Sequence, residues 1–141
     1  MGSGITGFHH VAVFSRDYGR AVDFYKRVLG LKQRVEFVYN GRRVSLLDVG
    51  TSGEYIEVFE APEKAKDSDG RWEHIALRSD DVAGVLARVK AEGYEVTMQP
   101  TTAELDTHVG PKPFVIHIAF FRGPDDVLIE LFEEKTPVAI S

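Results

Sequence analysis

A short stretch of sequence occurs twice in this chain. Residues 8–13 read FHHVAV and residues 72–77 read WEHIAL, so a histidine, a β-branched residue, an alanine and an aliphatic residue follow one another at both places. With 141 residues the chain is long enough for one domain with a substantial core, and short for two independent domains. The two copies are therefore expected to share one core.

The same order of secondary structure is predicted after each copy. Apolar residues at helical spacing predict an amphipathic helix between Asp17 and Gly30, and another that Asp80 or Ser79 caps and Gly93 ends. Runs of alternating or continuous apolar residues between turn signals then predict three strands in each half. Each half is thus expected to fold as β-α-β-β-β.

These patterns predict an α+β fold made of two tandem βαβββ modules. The modules are residues 8–61 and 72–134, within a single domain of residues 5–134, and the Pro-containing, charged segment 62–71 is expected to link them. The second module is longer, and we expect residues 100–113 to form an excursion between its first two strands after the helix. The two modules are predicted to curl a mainly antiparallel sheet around a common space.

Four polar residues occupy equivalent places in the two copies. His10 corresponds to His74, and Glu57 in YIEVFE corresponds to Glu130 in LIELFE. If the same faces of both modules meet, two imidazoles and two carboxylates converge, and these groups suit a divalent ion such as zinc, nickel, cobalt, manganese or iron. Each residue taken singly is more often a structural or surface group, and a duplication also copies idle residues.

The neighbouring histidine, His9, is predicted to play a different part. Side chains alternate between the two faces of a strand, so only one of His9 and His10 is expected to face the shared space. The match with HIAL selects His10. His9 is then expected to be a structural or interface residue whose substitution is mild.

Composition excludes several classes of protein. The chain has no cysteine, which excludes disulfides, thiolate zinc sites and cysteine nucleophiles. A net charge of −5 with scattered Lys and Arg argues against nucleic acid as a partner. No apolar run approaches the roughly 18 to 20 residues of a membrane span, and the first residues do not resemble a secretory signal. A cytoplasmic location without membrane association is expected.

Three segments resemble the vicinal oxygen chelate superfamily, which includes glyoxalases, bleomycin resistance proteins and dioxygenases. They are HVAVFSRDYGRAVDFYKRVLGL, EHIALRSDDV and LIELFEE, and the likeness extends over residues 8–134. The chain is most similar to bacterial glyoxalase I. This resemblance implies a glyoxalase-like fold and a divalent metal, with zinc or nickel favoured and cobalt, manganese or iron as alternatives. The implied metal ligands are His10, Glu57, His74 and Glu130.

The resemblance also implies a reaction. A glyoxalase I-like lyase or isomerase would act on a thiol adduct of a 2-oxoaldehyde, or on a related carbonyl compound, through an enediolate, with Glu130 as general base and Glu57 able to share that role. Where glyoxalase I has an Arg and an Asn for glutathione, this chain has Phe14 and Ala61, so a different thiol, a CoA ester or a smaller carbonyl compound is an alternative.

Two other readings stay open at this point. One is a metal-dependent epimerase of a CoA ester, or another metal enzyme on the same scaffold. The other is a protein that binds a small ligand or an antibiotic without chemistry. The resemblance further implies a homodimer with sites at the interface between modules, which pair either within one chain or across two.

Overall fold

The computed structural model describes residues 4–50, 53–61 and 72–136 of the chain. The predicted linker at residues 62–71 lies outside the described residues. Short helical turns follow the first helix, at Phe24–Val28, and precede the last strand, at Pro124–Asp126. The main elements within the described residues, in chain order, are β1 Ile5–Ser15, α1 Tyr18–Asp23, β2 Lys32–Tyr39, β3 Arg42–Asp48, β4 Tyr55–Glu60, β5 Trp72–Ser79, α2 Val82–Ala91, β6 Val96–Leu105, β7 Thr107–Val109, β8 Phe114–Arg122 and β9 Leu128–Glu134.

The strands form one sheet in the order β6-β8-β9-β5-β1-β4-β3-β2-β7. The first strands of the two modules, β1 and β5, lie antiparallel at its centre, and each has the last strand of its own module as a parallel neighbour. All other neighbouring pairs are antiparallel. The predicted α+β fold with a mainly antiparallel sheet is confirmed, and the modules pair within one chain.

The helices begin at residues that can bond free backbone N–H groups. The side chain of Asp17 accepts a hydrogen bond from the backbone N–H of Arg20, as expected for an N-cap. The N-cap of α2 is Asp81, whose side chain accepts a hydrogen bond from the backbone N–H of Gly84. The predicted caps, Asp80 and Ser79, lie one and two residues before it. No helix within the described ranges is long and apolar enough to cross a membrane.

The segment predicted as an excursion is mostly strand. β6 continues as far as Leu105, and after Asp106 the chain forms β7, which pairs with β2 at the opposite edge of the sheet. A single residue therefore connects the two edge strands, and the sheet has to curl until its edges meet at this point. The excursion closes the common space between the modules.

Alternate residues of the strands pack on the two sides of this curled sheet. Leu46 belongs to the cluster enclosed by the sheet, whereas its neighbour Leu47 packs beneath α1 on the outside. A third cluster lies between α2 and the strands β8 and β9. The helices thus cover the outer face, and the inner face is left for a core and a site.

Candidate metal centre

The two predicted histidines face each other across the centre of the sheet. In the antiparallel pairing of β1 with β5, His10 lies opposite Ala76 and Ala12 lies opposite His74. The two imidazoles therefore lie on the same face of the sheet, two residues apart along the paired strands. The methyl side chains of the two alanines leave room beside each ring.

The two glutamates flank these alanines. Glu57 on β4 lies beside Ala12, and Glu130 on β9 lies beside Ala76. Each alanine therefore has a histidine on one side and a glutamate on the other. The internal duplication thus generates a nearly symmetric set of four polar side chains from β1, β4, β5 and β9.

The polar atoms of this set converge within one chain. The Nε2 atom of His10 lies 3.1 Å from Nε2 of His74 and 3.2 Å from Oε1 of both Glu57 and Glu130. The Nε2 atom of His74 lies 2.9 Å from Oε1 of Glu130 and 3.7 Å from Oε1 of Glu57. Ligands at about 2.0 to 2.2 Å from a tetrahedral zinc ion are about 3.3 to 3.6 Å apart, so the two histidines together with either glutamate fit a divalent ion with small adjustments. His10, Glu57 and His74 offer donor atoms within 4.8 Å of one another.

The electrostatics of the cluster favour a positive charge between the four side chains. Burial lowers the pKa of His10, but Glu57 and Glu130 outweigh it and raise that pKa to about 10. Burial likewise raises the pKa of Glu130, but hydrogen bonds with His10 and His74 outweigh it and lower that pKa to about 2. Two buried carboxylates thus stabilise a cation at this point, as a metal site requires.

Both imidazoles have a partner for the ring nitrogen that faces away from the cluster. The Nδ1 atom of His74 is bonded to the carboxylate of Glu73, the preceding residue. The Nδ1 atom of His10 lies 2.7 Å from Nδ1 of His9, again the preceding residue. Both rings consequently present Nε2 to the cluster, as expected of metal ligands held by a second set of contacts.

The prediction that His9 lies on the opposite face from His10 is wrong. The pairing of β1 with β5 shifts in register between Phe8 and His10, so His9 lies in a β-bulge where the alternation of faces is interrupted. His9 is fully buried, and its ring stacks on that of Phe132 with 4.0 Å between centroids. Its burial lowers its pKa to about 4, which leaves the ring neutral near pH 7.

A buried ion pair behind His9 was missed in the sequence. The Oε2 atom of Glu134 lies 2.6 Å from Nε2 of His9 and accepts a hydrogen bond from Nη1 of Arg34 at 3.1 Å. A signal for Glu134 existed, since it follows Glu130 by four residues and hence lies on the same face of β9. Nothing in the sequence indicated Arg34, which lies on a distant strand.

A cavity of about 160 Å³ opens beside the cluster. Glu57, His74 and Glu130 form part of its wall, and His10 lies behind them with no exposed surface. None of the described residues that line it is Lys or Arg. The remaining lining residues are Phe37, Tyr39, Phe59, Met98, Thr101, Ala103, Leu105, Ile116, Ile118, Phe120 and Phe132.

The fold and the site together describe a class of protein, a curled sheet of two duplicated modules with a His and a Glu from each module at its centre. Comparison with known families identifies this class: the model of the Glyoxalase/Bleomycin resistance protein/Dioxygenase superfamily matches residues 7–131. The chain belongs to this superfamily. The predicted resemblance is confirmed.

Several relatives have named activities. The chain is 29% identical over 135 residues to a probable lactoylglutathione lyase of Vibrio cholerae, covering 89% of each protein. It is 29% identical over 136 residues to the lactoylglutathione lyase of Escherichia coli O157:H7, covering 89% of this chain and 91% of that one. The structure is similar to methylmalonyl-CoA epimerase from Mycobacterium tuberculosis, with a TM-score of 0.76 and 24% identity over 96% of this chain and 93% of that one. This likeness concerns the fold.

Proposed function

We propose that the protein is a glyoxalase I-like, metal-dependent lyase or isomerase. It would act on a thiol adduct of a 2-oxoaldehyde, or on a related carbonyl compound. The observation that carries the proposal is the set of His10, Glu57, His74 and Glu130, three of which form part of the wall of a cavity. The relatives named as lactoylglutathione lyases support the same reaction class.

The four residues have distinct parts in the proposed reaction. The side chains of His10, Glu57, His74 and Glu130 would hold a divalent ion, zinc or nickel by preference, with cobalt, manganese or iron as alternatives. When bound, such an ion supplies Lewis acidity that stabilises negative charge on the oxygens of an enediolate. The protein's own residues hold the substrate beside these ligands and move the proton.

Glu130 is proposed as the general base. Hydrogen bonds with His10 and His74 lower its pKa and keep the carboxylate ionised at neutral pH, which is the form that can accept the proton leaving the carbon next to the carbonyl group. A low pKa by itself makes a weak base, so the role is proposed on the position of this carboxylate at the cavity wall. Glu57 lies on the opposite side of the histidine pair, with its carboxylate also at the cavity wall. It is therefore placed to return or accept a proton on the other side of the substrate.

The cavity supports a substrate whose buried group is small and apolar. A volume of 160 Å³ is close to that of a cavity that takes up benzene in another protein. At the position of the expected glutathione-binding Arg, Phe14 packs near Phe59 of the cavity wall, with 6.2 Å between ring centroids. Ala61, at the position of the expected Asn, is buried. These residues favour a thiol other than glutathione, or a smaller carbonyl compound.

The test is a metal analysis of the purified protein followed by two assays. Turnover of the hemithioacetal of methylglyoxal with glutathione, or with another low-molecular-weight thiol, would support the proposed lyase and identify the thiol. Bound metal with no turnover of any hemithioacetal, together with epimerisation of a CoA ester, would overturn it in favour of the epimerase. Tight binding of an antibiotic without bound metal would favour the binding protein.

A homodimer remains a prediction, but the reason for it is no longer a site shared between two chains. All four proposed ligands belong to one chain, so a second chain is not required to complete the site. Phe24, Val28 and Leu29 after α1 are about half exposed and offer an apolar surface that a second copy could cover. Light scattering at micromolar concentration is expected to give twice the chain mass, and a monomer would refute the dimer. A cytoplasmic location is likewise a prediction.

A further inference from the structure

A series of polar contacts, here called the relay, runs from His10 to a buried ion pair. Its members in order are His10, His9, Glu134 and Arg34. The successive distances are 2.7 Å between the two Nδ1 atoms, 2.6 Å from Nε2 of His9 to Oε2 of Glu134, and 3.1 Å from that oxygen to Nη1 of Arg34. The reaction proposed above uses His10 alone of these four residues.

The carboxylate at the end of the relay is held in its ionised form by its surroundings. The Nη2 atom of Arg34 lies 2.9 Å from Oε1 of Glu134, close enough for strong attraction although these two atoms do not satisfy hydrogen-bond geometry. Arg34 is in turn fixed by a hydrogen bond from Nη1 to the hydroxyl of Tyr55 and by the rings of Tyr55 and Phe114, each 5.4 Å away. Nη1 of Arg78 lies 3.8 Å from the same carboxylate.

The direction of each hydrogen bond in the series follows from this carboxylate and from the proposed role of His10 as a ligand. An ionised carboxylate only accepts, so Nε2 of His9 must carry the proton between it and Glu134. Only one proton fits between two Nδ1 atoms 2.7 Å apart. A His10 ring that binds an ion through Nε2 carries its proton on Nδ1, so Nδ1 of His10 donates and Nδ1 of His9 accepts. The lone pair of a metal-binding His10 is then on Nε2, the atom that faces His74, Glu57 and Glu130.

We propose that His9 and Glu134 are positioning residues that fix the ring orientation and tautomer of His10 for metal binding. The proposal rests on the proposed role of His10 as a ligand. It assigns a function to the β-bulge at His9, because a regular strand would direct this ring to the outer face. Glu73 serves His74 directly, so the two halves of the duplicated site achieve the same end by different residues.

Three variants test the relay. His9→Phe keeps a ring to stack on Phe132 but cannot accept the proton of His10, whereas His9→Asn offers an amide oxygen near the position of Nδ1. Tyr18→Phe is the matched control, since it removes a buried hydroxyl bonded to Ser45 on the outside of the sheet. Circular dichroism of the metal-free proteins verifies that each variant is folded.

The first measurement is the Kd for Co²⁺, followed by the absorbance of the bound ion. Loss of a contact that orients a ligand weakens metal binding by roughly 10- to 100-fold, which we expect for His9→Phe. His9→Asn should recover most of the affinity, and Tyr18→Phe should match the wild type. Equal affinity of folded His9→Phe and wild type would overturn the relay alone. A wild type that binds no Co²⁺ would overturn both the relay and the proposed function.

The second measurement reports the tautomer itself. In the zinc form of protein labelled with ¹⁵N-histidine, the Nδ1–H proton of His10 should be visible and slow to exchange in the wild type and in His9→Asn. It should exchange rapidly in His9→Phe. A protected proton in His9→Phe would contradict the relay.

Glu134→Gln tests the same contacts if His9→Phe does not fold as well as the wild type, and unchanged Co²⁺ affinity in folded Glu134→Gln would overturn the relay. Where His9→Phe is folded, a double-mutant cycle combines the two changes. Glu134→Gln keeps the size of the side chain, but its amide can accept from His9 or donate to it, so the tautomer is no longer fixed. Co²⁺ affinity should fall in Glu134→Gln and should fall no further when this change is added to His9→Phe. Additive effects of the two changes would show that they act separately and would overturn the relay.

Discussion

Removal of metal by a chelator should lower the melting temperature of the protein by about 9 °C. The four proposed ligands lie on β1, β4, β5 and β9, the four strands at the centre of the sheet, and they come from both modules. Unfolding separates them, so the ion binds the native state alone. At free metal of roughly 100 times its Kd, such binding adds about 2.7 kcal/mol to the free energy of unfolding.

The shift in temperature follows from the size of the chain. An unfolding entropy of about 2.1 cal/mol/K per residue gives about 0.3 kcal/mol/K for 141 residues. Dividing 2.7 kcal/mol by this entropy gives a shift of about 9 °C. Tighter binding or more metal increases the shift by about 1.4 kcal/mol, or about 5 °C, for each factor of ten.

Differential scanning calorimetry with and without chelator, at fixed protein concentration, measures this shift. Zinc or nickel added back should restore the original melting temperature. In His74→Ala the effect of the chelator should largely vanish, because three ligands hold the ion more weakly. In the control His117→Ala it should persist, since His117 on β8 is bonded to Thr102 and lies outside the cluster. Equal chelator effects in the wild type and His74→Ala would show that any metal binds elsewhere.

Three further predictions concern the same site and the core beneath it. Glu130→Gln should retain metal, measured by elemental analysis, yet lose most turnover, because an amide oxygen can coordinate but cannot accept the proton; near-full activity would shift the role of base to Glu57. The pKa of His10 is raised to about 10, so below that pH the metal-free site holds a proton that the ion must displace. Calorimetry in buffers of different ionisation enthalpy should therefore show about one proton released per ion near pH 7.5. The affinity for the ion should also rise with pH up to about 10. An absence of proton release would contradict this account. Leu46→Ala should lower the free energy of unfolding in urea by about 2 to 5 kcal/mol, because Leu46 is fully buried, and a loss below 1 kcal/mol would show that the enclosed core collapses around the change.

The internal duplication made the architecture predictable, because one repeat accounts for two helices, most strands and the equivalence of His10 with His74. The type of each element follows from local patterns of apolar residues, which the sequence displays directly. The continuation of β6 to Leu105 was not visible in this way, because PTTAEL pairs with β8 and its strand conformation depends on that distant partner. Tertiary pairing determines such a segment more than its own propensity does.

The site was predictable only as far as the alternation of side chains holds. The placement of His10, Glu57, His74 and Glu130 follows from the repeat, because the parallel pairings that hold the glutamates are regular and the register shifts beside the histidines leave each histidine opposite an alanine. His9 was misplaced because a bulge leaves no clear mark in a sequence. Bulges are frequent beside functional sites, where they redirect a side chain.

The near symmetry of the site makes its departures from symmetry informative. His74 lies closer to Glu130, in its own module, than to Glu57, at 2.9 Å against 3.7 Å, whereas His10 lies 3.2 Å from both glutamates. The Nδ1 partners differ as well, since a carboxylate bonds His74 directly and a neutral imidazole bonds His10. A carboxylate partner makes an imidazole a stronger electron donor than a neutral partner does. The two modules would therefore present unequal ligands to one ion, and the two carboxylates are not equivalent, which is the condition for one to act as the proposed general base while the other holds the ion.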